Sequence, residues 1–337
     1  MRDLKHTITT VLTAVAAVLV LTGCSKEQWR KAQGSIWGTT YTITYYSDRD
    51  LGDSIVAEMS RVDKELSIFN PESNVSLINA NKTDLLSPMT SEIFQESRNI
   101  NKITDGMFDP TIGPLSELWG FGSTKRDPGQ AVDSAAVQEC LGAVGIDECT
   151  VSAKTLRIVK KREDTRFDFG AIAKGYGVDC VANVLKRNKV TNYMVEVGGE
   201  MAMSGHNPSG KEWYVQIDSP ESGTSEHVAL TRVHLTDCCV ATSGNYRNTR
   251  TLADGQRVGH TISPVTGYPV QTDVLSATIV AKQCVIADAL ATACMTMNSD
   301  AALRMLAGSP CLSALLQVSR PGGRIETVTY GPAFAAK

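Results

Sequence analysis

The chain has 337 residues, 42% of them hydrophobic and 20% charged, with a net charge of −3. That length admits one large domain or two ordinary ones, and a core can be built without a disulfide scaffold. There is no basic stripe and no aromatic–basic repeat, so nothing points to nucleic acid as a partner.

Arg2 and Lys5 precede a mostly apolar run, residues 8–21, which is short for a membrane span and ends in Leu21-Thr22-Gly23-Cys24. Small residues before a cysteine at this distance resemble the bacterial lipobox; the alternative is an ordinary signal peptide with a chance cysteine. The lipobox implies that residues 1–23 are a signal peptide and that Cys24 carries a lipid. The polar residues 24–33 are then a tether, and residues 34–337 the folded domain. The implied location is the cell envelope, lipid-anchored to a membrane and facing the periplasm. Eight cysteines remain, an even number that would allow full pairing in an exported protein. Several lie in apolar runs, where a free thiol acts as a small core residue, and no C-x-x-C is present.

Residues 37–46 set Thr40, Thr42 and Thr44 against Tyr41, Ile43 and Tyr45, a strand alternation. Leu51, Ile55, Val56, Met59 and Val62 recur at helical spacing, which predicts an amphipathic helix over 50–66. Residues 67–73, with Asn70-Pro71, read as a turn. A second helix is expected over 90–104, with Ile93, Phe94, Ser97, Ile100 and Ile103 inward and Gly106 as its stop. Residues 105–122 are apolar and aromatic but broken by Pro110, Pro114 and glycines. They predict no regular element, and either wrap a flat ligand or plug the core. A short helix at 133–141 and a strand at 150–159 follow. After residues 166–179, Val178, Val181, Ala182, Val184 and Leu185 continue as a helix. Residues 193–204 read as a strand interrupted at Gly198-Gly199, where backbone must approach something closely. Strands are expected at 213–218, 227–235, 238–242 and 276–281, with a last one at 312–318. Helices are expected at 285–297 and 301–307. Strands adjacent in sequence and mixed with helices favour an α+β fold, one compact domain with mixed or antiparallel sheets.

Three stretches could carry chemistry. Residues 166–179 read R-F-D-F-G-A-I-A-K-G-Y-G-V-D. Asp168 and Lys174 are six apart, too far for one helical pair. Gly170, Gly175 and Gly177 allow close approach of something bulky. A loop feeding a helix N-terminus favours phosphate, and Lys174 would add a point charge; a corner with a surface lysine is the alternative. Residues 241–247, A-T-S-G-N-Y-R, are expected to be a polar turn. Residues 259–270 carry His260 in a Gly- and Pro-rich loop, a candidate general base or a solvated loop histidine. In residues 286–292, Asp288 and Thr292 share one helical face amid alanines. A carboxylate and a hydroxyl are hard oxygen ligands suited to Mg²⁺; a buried, hydrogen-bonded aspartate is the alternative.

Taken together these segments resemble the FAD:protein FMN transferases, or ApbE-type lipoproteins, over nearly the whole mature chain. The matching residues are the lipobox at Cys24, Gly38-Thr39, Asp109-Pro110-Thr111, Gly113-Pro114-Leu115, Trp119-Gly120, and Asp168 through Asp179. They continue with Gly198-Gly199, Thr242-Ser243-Gly244, His260, Pro264, Thr266-Gly267, Ala287-Asp288-Ala289 and Thr292.

The resemblance implies that Asp168 and Lys174 contact FAD. It implies a metal site at the Ala171 carbonyl, Asp288 and Thr292. Trp37 and Phe69 match positions against the flavin, Thr111, Ile112 and Gly113 a nucleotide-binding loop, and Ile262 the loop after His260. Ser263 stands where Asp is common and Glu196 where Asn is common, which leaves local hydrogen bonding open. The implied reaction uses Mg²⁺ and FAD, moves FMN onto a Thr or Ser hydroxyl, and releases AMP, with His260 or Asp288 as the base. The implied acceptors are exported or membrane-anchored flavoproteins such as subunits of membrane redox complexes. Two other functions stay open at this point: FAD hydrolysis to FMN and AMP, and a periplasmic flavin carrier.

Overall fold

The computed structural model describes residues 26–124, 131–219, 228–245, 249–251, 255 and 257–335. Cys24 and the signal segment lie outside these residues.

In chain order the first half holds β1 (Gln28–Ile36), β2 (Thr39–Ser47), α1 (Gly52–Leu66), α2 (Asn74–Asn79), α3 (Pro88–Ile103), α4 (Gly113–Trp119) and α5 (Ser134–Leu141). Two short strands follow, β3 (Thr150–Val151) and β4 (Ile158–Val159), then α6 (Ala173–Arg187). Next come β5 (Tyr193–Val197), β6 (Glu200–Ser204), β7 (Trp213–Asp218), β8 (Ala229–Leu235), β9 (Cys238–Gly244), β10 (Thr249–Thr251) and β11 (Arg257–Gly259). The chain closes with β12 (Val274–Ala281), α7 (Cys284–Met295), α8 (Ser299–Ala307), β13 (Cys311–Ser319) and β14 (Ile325–Tyr330). The fold is α+β.

Eight of the strands form one sheet in the order β1-β2-β5-β6-β9-β12-β13-β14. Every neighbouring pair is antiparallel. One face of the sheet turns Tyr41, Ile43, Val195 and Ala202 toward helices. They meet Ile55 and Met59 of α1 and Val178, Val181 and Leu185 of α6. Burying each such aliphatic side chain contributes roughly 1.5–3 kcal/mol. The other face packs Met203, Val240 and Val280 on Trp213, Val215 and Leu235 of the β7–β8 hairpin. Helix α7 is buried on nearly all sides, against β9, β12 and α6. Its alanines at 287, 289, 291 and 293 permit this, since small side chains let neighbouring backbones come close.

Several expectations need correction. Residues 24–33 are not all tether: β1 begins at Gln28 and pairs with β2 from Gln28↔Ser47 to Ile36↔Thr39. It is an edge strand, whose exposed side tolerates the polar residues that disguised it. Residues 150–159 form a tight hairpin rather than one strand. The break at Gly198-Gly199 is a hairpin turn joining β5 to β6, with φ of 62° and 104° at the two glycines. Residues 241–244 remain in β9 rather than forming a turn. The final strand is β14, a second edge, not the one at 312–318. Ile103 is 37% exposed at the end of α3, while Ile93, Phe94, Ser97 and Ile100 are buried as expected. All eight cysteines among the described residues are free thiols, seven of them buried.

Candidate active site

Residues 105–122 do contain a regular element. Pro114 occupies the first turn of α4, where a missing N–H costs nothing, and Gly120 at φ 76° ends the helix in a left-handed cap. The segment is a plug in the main, because Phe108, Leu115 and Trp119 are buried. The Trp119 indole N–H donates to the Gly267 carbonyl at 2.7 Å, which ties α4 to the loop after His260.

The stretch before α4 is built around Asp109. One carboxylate oxygen accepts from the Thr111 N–H at 2.8 Å and its hydroxyl at 2.6 Å, and the other from the Ile146 N–H at 3.0 Å. Burial pushes the Asp109 carboxyl above the usual carboxylate range, and these donors oppose the shift. Thr111 is wholly buried and also takes the Gly145 N–H at 2.7 Å, so its hydroxyl serves the fold. The Gly113 N–H donates to the Arg166 carbonyl at 3.1 Å, and the Asp168 N–H to the Pro110 carbonyl at 2.7 Å. Residues 110–113 are thereby zipped alongside 166–168. A Cβ on Gly113 would lie 2.6 Å from the Arg166 oxygen, so this position is held to glycine.

Asp168 is half-buried and accepts from the Gly170 N–H at 2.9 Å. Burial raises its carboxyl, the Gly170 and Ser116 hydrogen bonds lower it, Glu117 raises it and His260 lowers it. His260 is therefore within electrostatic reach of Asp168. The imidazole is exposed, edge-on to Phe121 at 6.4 Å between centroids. Ile262 is 2% exposed and packs with Leu115 and Trp119, so only its backbone is left for a ligand.

Lys174 stands in the first turn of α6 and pairs with Glu200 rather than Asp168. Its ammonium lies 2.6 Å from Glu200 Oε1. The Glu200 side chain is 2% exposed and its Oε2 has no partner among the described residues. Burial raises the Glu200 carboxyl to about 7, with Lys174 opposing. Burial alone would lower Lys174; Glu200 first, then Asp288, outweigh it and hold the ammonium charged. Asp288 is 2% exposed on α7, and its Oδ2 accepts from the Gly175 N–H at 2.8 Å. Burial raises its carboxyl, opposed by Lys174 and by that hydrogen bond. The α7 helix is itself fixed by Asp179 of α6. The Asp179 carboxylate accepts from the Cys284 and Val285 N–H groups at 3.0 and 2.9 Å, capping the helix that carries Asp288.

The glycines of α6 let these groups meet. A Cβ on Gly175 would press on the Cys284 carbonyl oxygen and lie 2.7 Å from Asp288 Cβ. A Cβ on Gly177 would press on Cη2 of the Trp37 ring, with Cζ3 at 2.8 Å. Trp37 sits at the β1–β2 turn with φ 51°, partly buried against α6, its indole N–H without a partner among the described residues. Phe69 is 71% exposed in the turn after α1 and stands apart from the buried apolar clusters.

One turn beyond Asp288, Thr292 Oγ1 lies 3.1 Å from Ser243 Oγ of β9. The Asp288 carboxylate and the two hydroxyls are hard oxygen donors. No group of three or more His, Cys, Asp or Glu side chains stands together among the described residues. Oxygen donors of this hardness would suit Mg²⁺, which takes few protein ligands and keeps its remaining positions for water and phosphate.

The two departures from the family pattern have local uses. Glu196 Oε1 accepts from the Gly199 N–H at 3.0 Å and braces the β5–β6 turn. Ser263 Oγ accepts from the Val265 and Thr266 N–H groups at 3.3 and 3.2 Å and shapes the loop after His260. Glu200, Asp179 and the roles of Asp109 and Ser243 were not read from the sequence. For Glu200 the available signal was an acidic residue opening a strand directly after Gly198-Gly199.

Comparison with known proteins bears on the family. The ApbE family model matches residues 37–316. A FAD:protein FMN transferase of Vibrio cholerae is 35% identical over 86% of this chain and 88% of its own length. One from Haemophilus influenzae is 34% identical over 87% of this chain and 88% of its own. The structure of the flavin transferase ApbE from Vibrio cholerae superposes with a TM-score of 0.80 at 30% identity, covering 92% of this chain and 99% of that one. The apo flavinyl transferase ApbE of Pseudomonas stutzeri gives 0.79 at 29%, covering 91% and 96%. A family match over most of the chain, joined to relatives of this similarity and coverage, shows that the chain belongs to the ApbE family.

Proposed function

We propose that this chain is a FAD:protein FMN transferase that moves FMN from FAD onto a Thr or Ser hydroxyl of a flavoprotein and releases AMP. The observation that carries the reading is the meeting of Lys174, Asp288 and the Thr292–Ser243 hydroxyl pair where α6, α7 and β9 converge. Lys174 offers positive charge to a phosphate, and Trp37 beside Gly177 offers a ring face and an unpaired N–H to the flavin end. Asp288, Thr292 and the Ala171 carbonyl would hold Mg²⁺, which when bound supplies positive charge to the pyrophosphate oxygens and eases departure of AMP. The acceptor oxygen forms the new bond to the FMN phosphorus, the bond from that phosphorus to the AMP oxygen breaks, and the hydroxyl proton must be removed. Of the two candidate bases, His260 is the better placed. It is exposed and can meet a hydroxyl on a second protein, whereas Asp288 is buried and already holds Gly175.

Asp168, Thr111, Ile112, Gly113, Phe69 and Ile262 complete the proposed FAD site. Asp168 lies near His260. Residues 111–113 act through backbone carbonyls, since the Thr111 hydroxyl and N–H are committed to Asp109 and the Gly113 N–H to Arg166. Attachment through a lipid on Cys24, with the protein facing the periplasm beside membrane redox complexes, is part of the same proposal. Among the described residues no helix is long and apolar enough to cross a membrane. Cys24→Ala should release the protein from the membrane fraction.

Product analysis after incubation with FAD and Mg²⁺ separates the three readings. Transfer gives AMP only when an acceptor flavoprotein is present. Hydrolysis gives AMP and free FMN without one. A carrier leaves FAD intact, and either of the last two results overturns the proposal.

A further inference from the structure

Glu200 is a buried carboxylate whose only partner among the described residues is Lys174. Val197 pairs with Glu200 across the β5–β6 hairpin. Ala202, two residues on and so on the same face of the sheet, packs in the apolar layer beneath α1 and α6. Leaving a carboxylate in such a place is costly, and an apolar residue of similar volume would commonly be as stable or more so. Its Oε1 takes the Lys174 ammonium at 2.6 Å, and its Oε2 takes nothing among the described residues. Lys174 also faces a second carboxylate, Asp288, within electrostatic reach on α7. Asp288 keeps one oxygen on the Gly175 N–H and makes no other hydrogen bond among the described residues. One ammonium thus stands between two carboxylates, and it is bonded to the one that has no other use.

We propose that Glu200 is a positioning residue that holds Lys174 away from Asp288 and so keeps the Asp288 carboxylate free to take a divalent cation. This rests on the assignment of Asp288 as a metal ligand. Without the Glu200 charge, the ammonium turns to the remaining carboxylate and forms the Lys174–Asp288 pair. A cation must then displace that pair, so it binds more weakly. Glu200 itself touches neither substrate nor metal in this account.

The test is Mn²⁺ binding to the full chain without FAD, read from the free-ion paramagnetic resonance signal, because Mn²⁺ takes the same oxygen ligands as Mg²⁺. Glu200→Gln should weaken Mn²⁺ binding by about tenfold, the effect of about 1.4 kcal/mol of competition. Adding Lys174→Met to Glu200→Gln should restore binding to within threefold of wild type, because the competing ammonium is gone. A structural defect at residue 200 would not be repaired by deleting a second charge. Wild-type affinity in Glu200→Gln, or no recovery in the folded double variant, overturns the inference. Asp288→Asn is the control for the assignment beneath it. If Asp288→Asn binds Mn²⁺ like wild type, the metal site is wrong and this inference falls with it. If Asp288→Asn loses binding while Glu200→Gln keeps it, only the role of Glu200 fails.

Discussion

Gly175→Ala tests the packing on which the site depends. The added methyl would press on the Cys284 carbonyl oxygen, with Asp288 Cβ and the Cys284 carbonyl carbon each at 2.7 Å. Carbon–carbon contacts are comfortable near 3.5–4.0 Å, so α6 and α7 must separate by about 1 Å. The obstacles are backbone and a Cβ, which cannot rotate aside. Overpacking of this kind costs about 1–3 kcal/mol, and stretching the Gly175 N–H bond to the buried Asp288 adds about 1.5–3 kcal/mol. Alanine gains back about 1 kcal/mol of helix propensity. The expected net loss is about 2–4 kcal/mol, read by urea unfolding at neutral pH. Displacing Asp288 by about 1 Å should also lower FMN transfer about a hundredfold. A variant as stable as wild type would refute the close α6–α7 contact. A loss of stability with transfer unchanged would refute the claim that Gly175 sets the position of Asp288.

Asp179 should leave a mark on stability between pH 4 and 6. Its half-buried carboxyl is raised by desolvation from the usual 3.8 to about 6, so the folded state holds the proton more tightly than the unfolded chain. The stability from that proton is present below about pH 4 and is lost as pH rises through 6, about 3 kcal/mol across the window. Asp179→Asn should remove this share of the slope, measured as the wild-type minus variant difference in urea unfolding at pH 4, 5 and 6; an identical slope would contradict the assignment. Asp288→Ala should keep much of the FAD affinity but lower Mg²⁺-dependent transfer about a hundredfold, while Thr292→Ala should be milder because water can replace a neutral hydroxyl. Titration of flavin fluorescence beside transfer rates checks both, and Thr292→Ala falling further than Asp288→Ala would reverse the ligand roles. Lys174→Ala should weaken FAD binding, increasingly so at low salt where phosphate contacts count most. Unchanged affinity would return Lys174 to a purely structural partner of Glu200.

The helices α1 and α3 were legible because their apolar residues recur at 3.6 spacing, and β2 because Tyr41, Ile43 and Tyr45 alternate with threonines. The edge strands β1 and β14 were not, since an exposed edge accepts polar side chains on its open side and shows no clean alternation. Residues 113–119 hid a helix because Pro114 reads as a breaker until its place in the first turn is known. Within the site, Asp288 and Thr292 could be paired from spacing alone, as both lie on one helix. Lys174 could be singled out but its partner could not, because Glu200 is 26 residues away and reaches it through the β5–β6 hairpin. The Asp179 cap joins residues more than a hundred positions apart, and no local pattern marks it. Thr111 stands in the loop that the resemblance assigns to the nucleotide, and no local pattern shows that its hydroxyl is spent on Asp109 and Gly145.

The most direct measurement is the intact mass of an acceptor flavoprotein after incubation with this protein, FAD and Mg²⁺. A gain of one FMN per acceptor, lost when the acceptor Thr or Ser is changed to Ala and strongly reduced with Asp288→Ala enzyme, is the predicted result. An acceptor of unchanged mass, with FAD either intact or split to free FMN, would contradict the account.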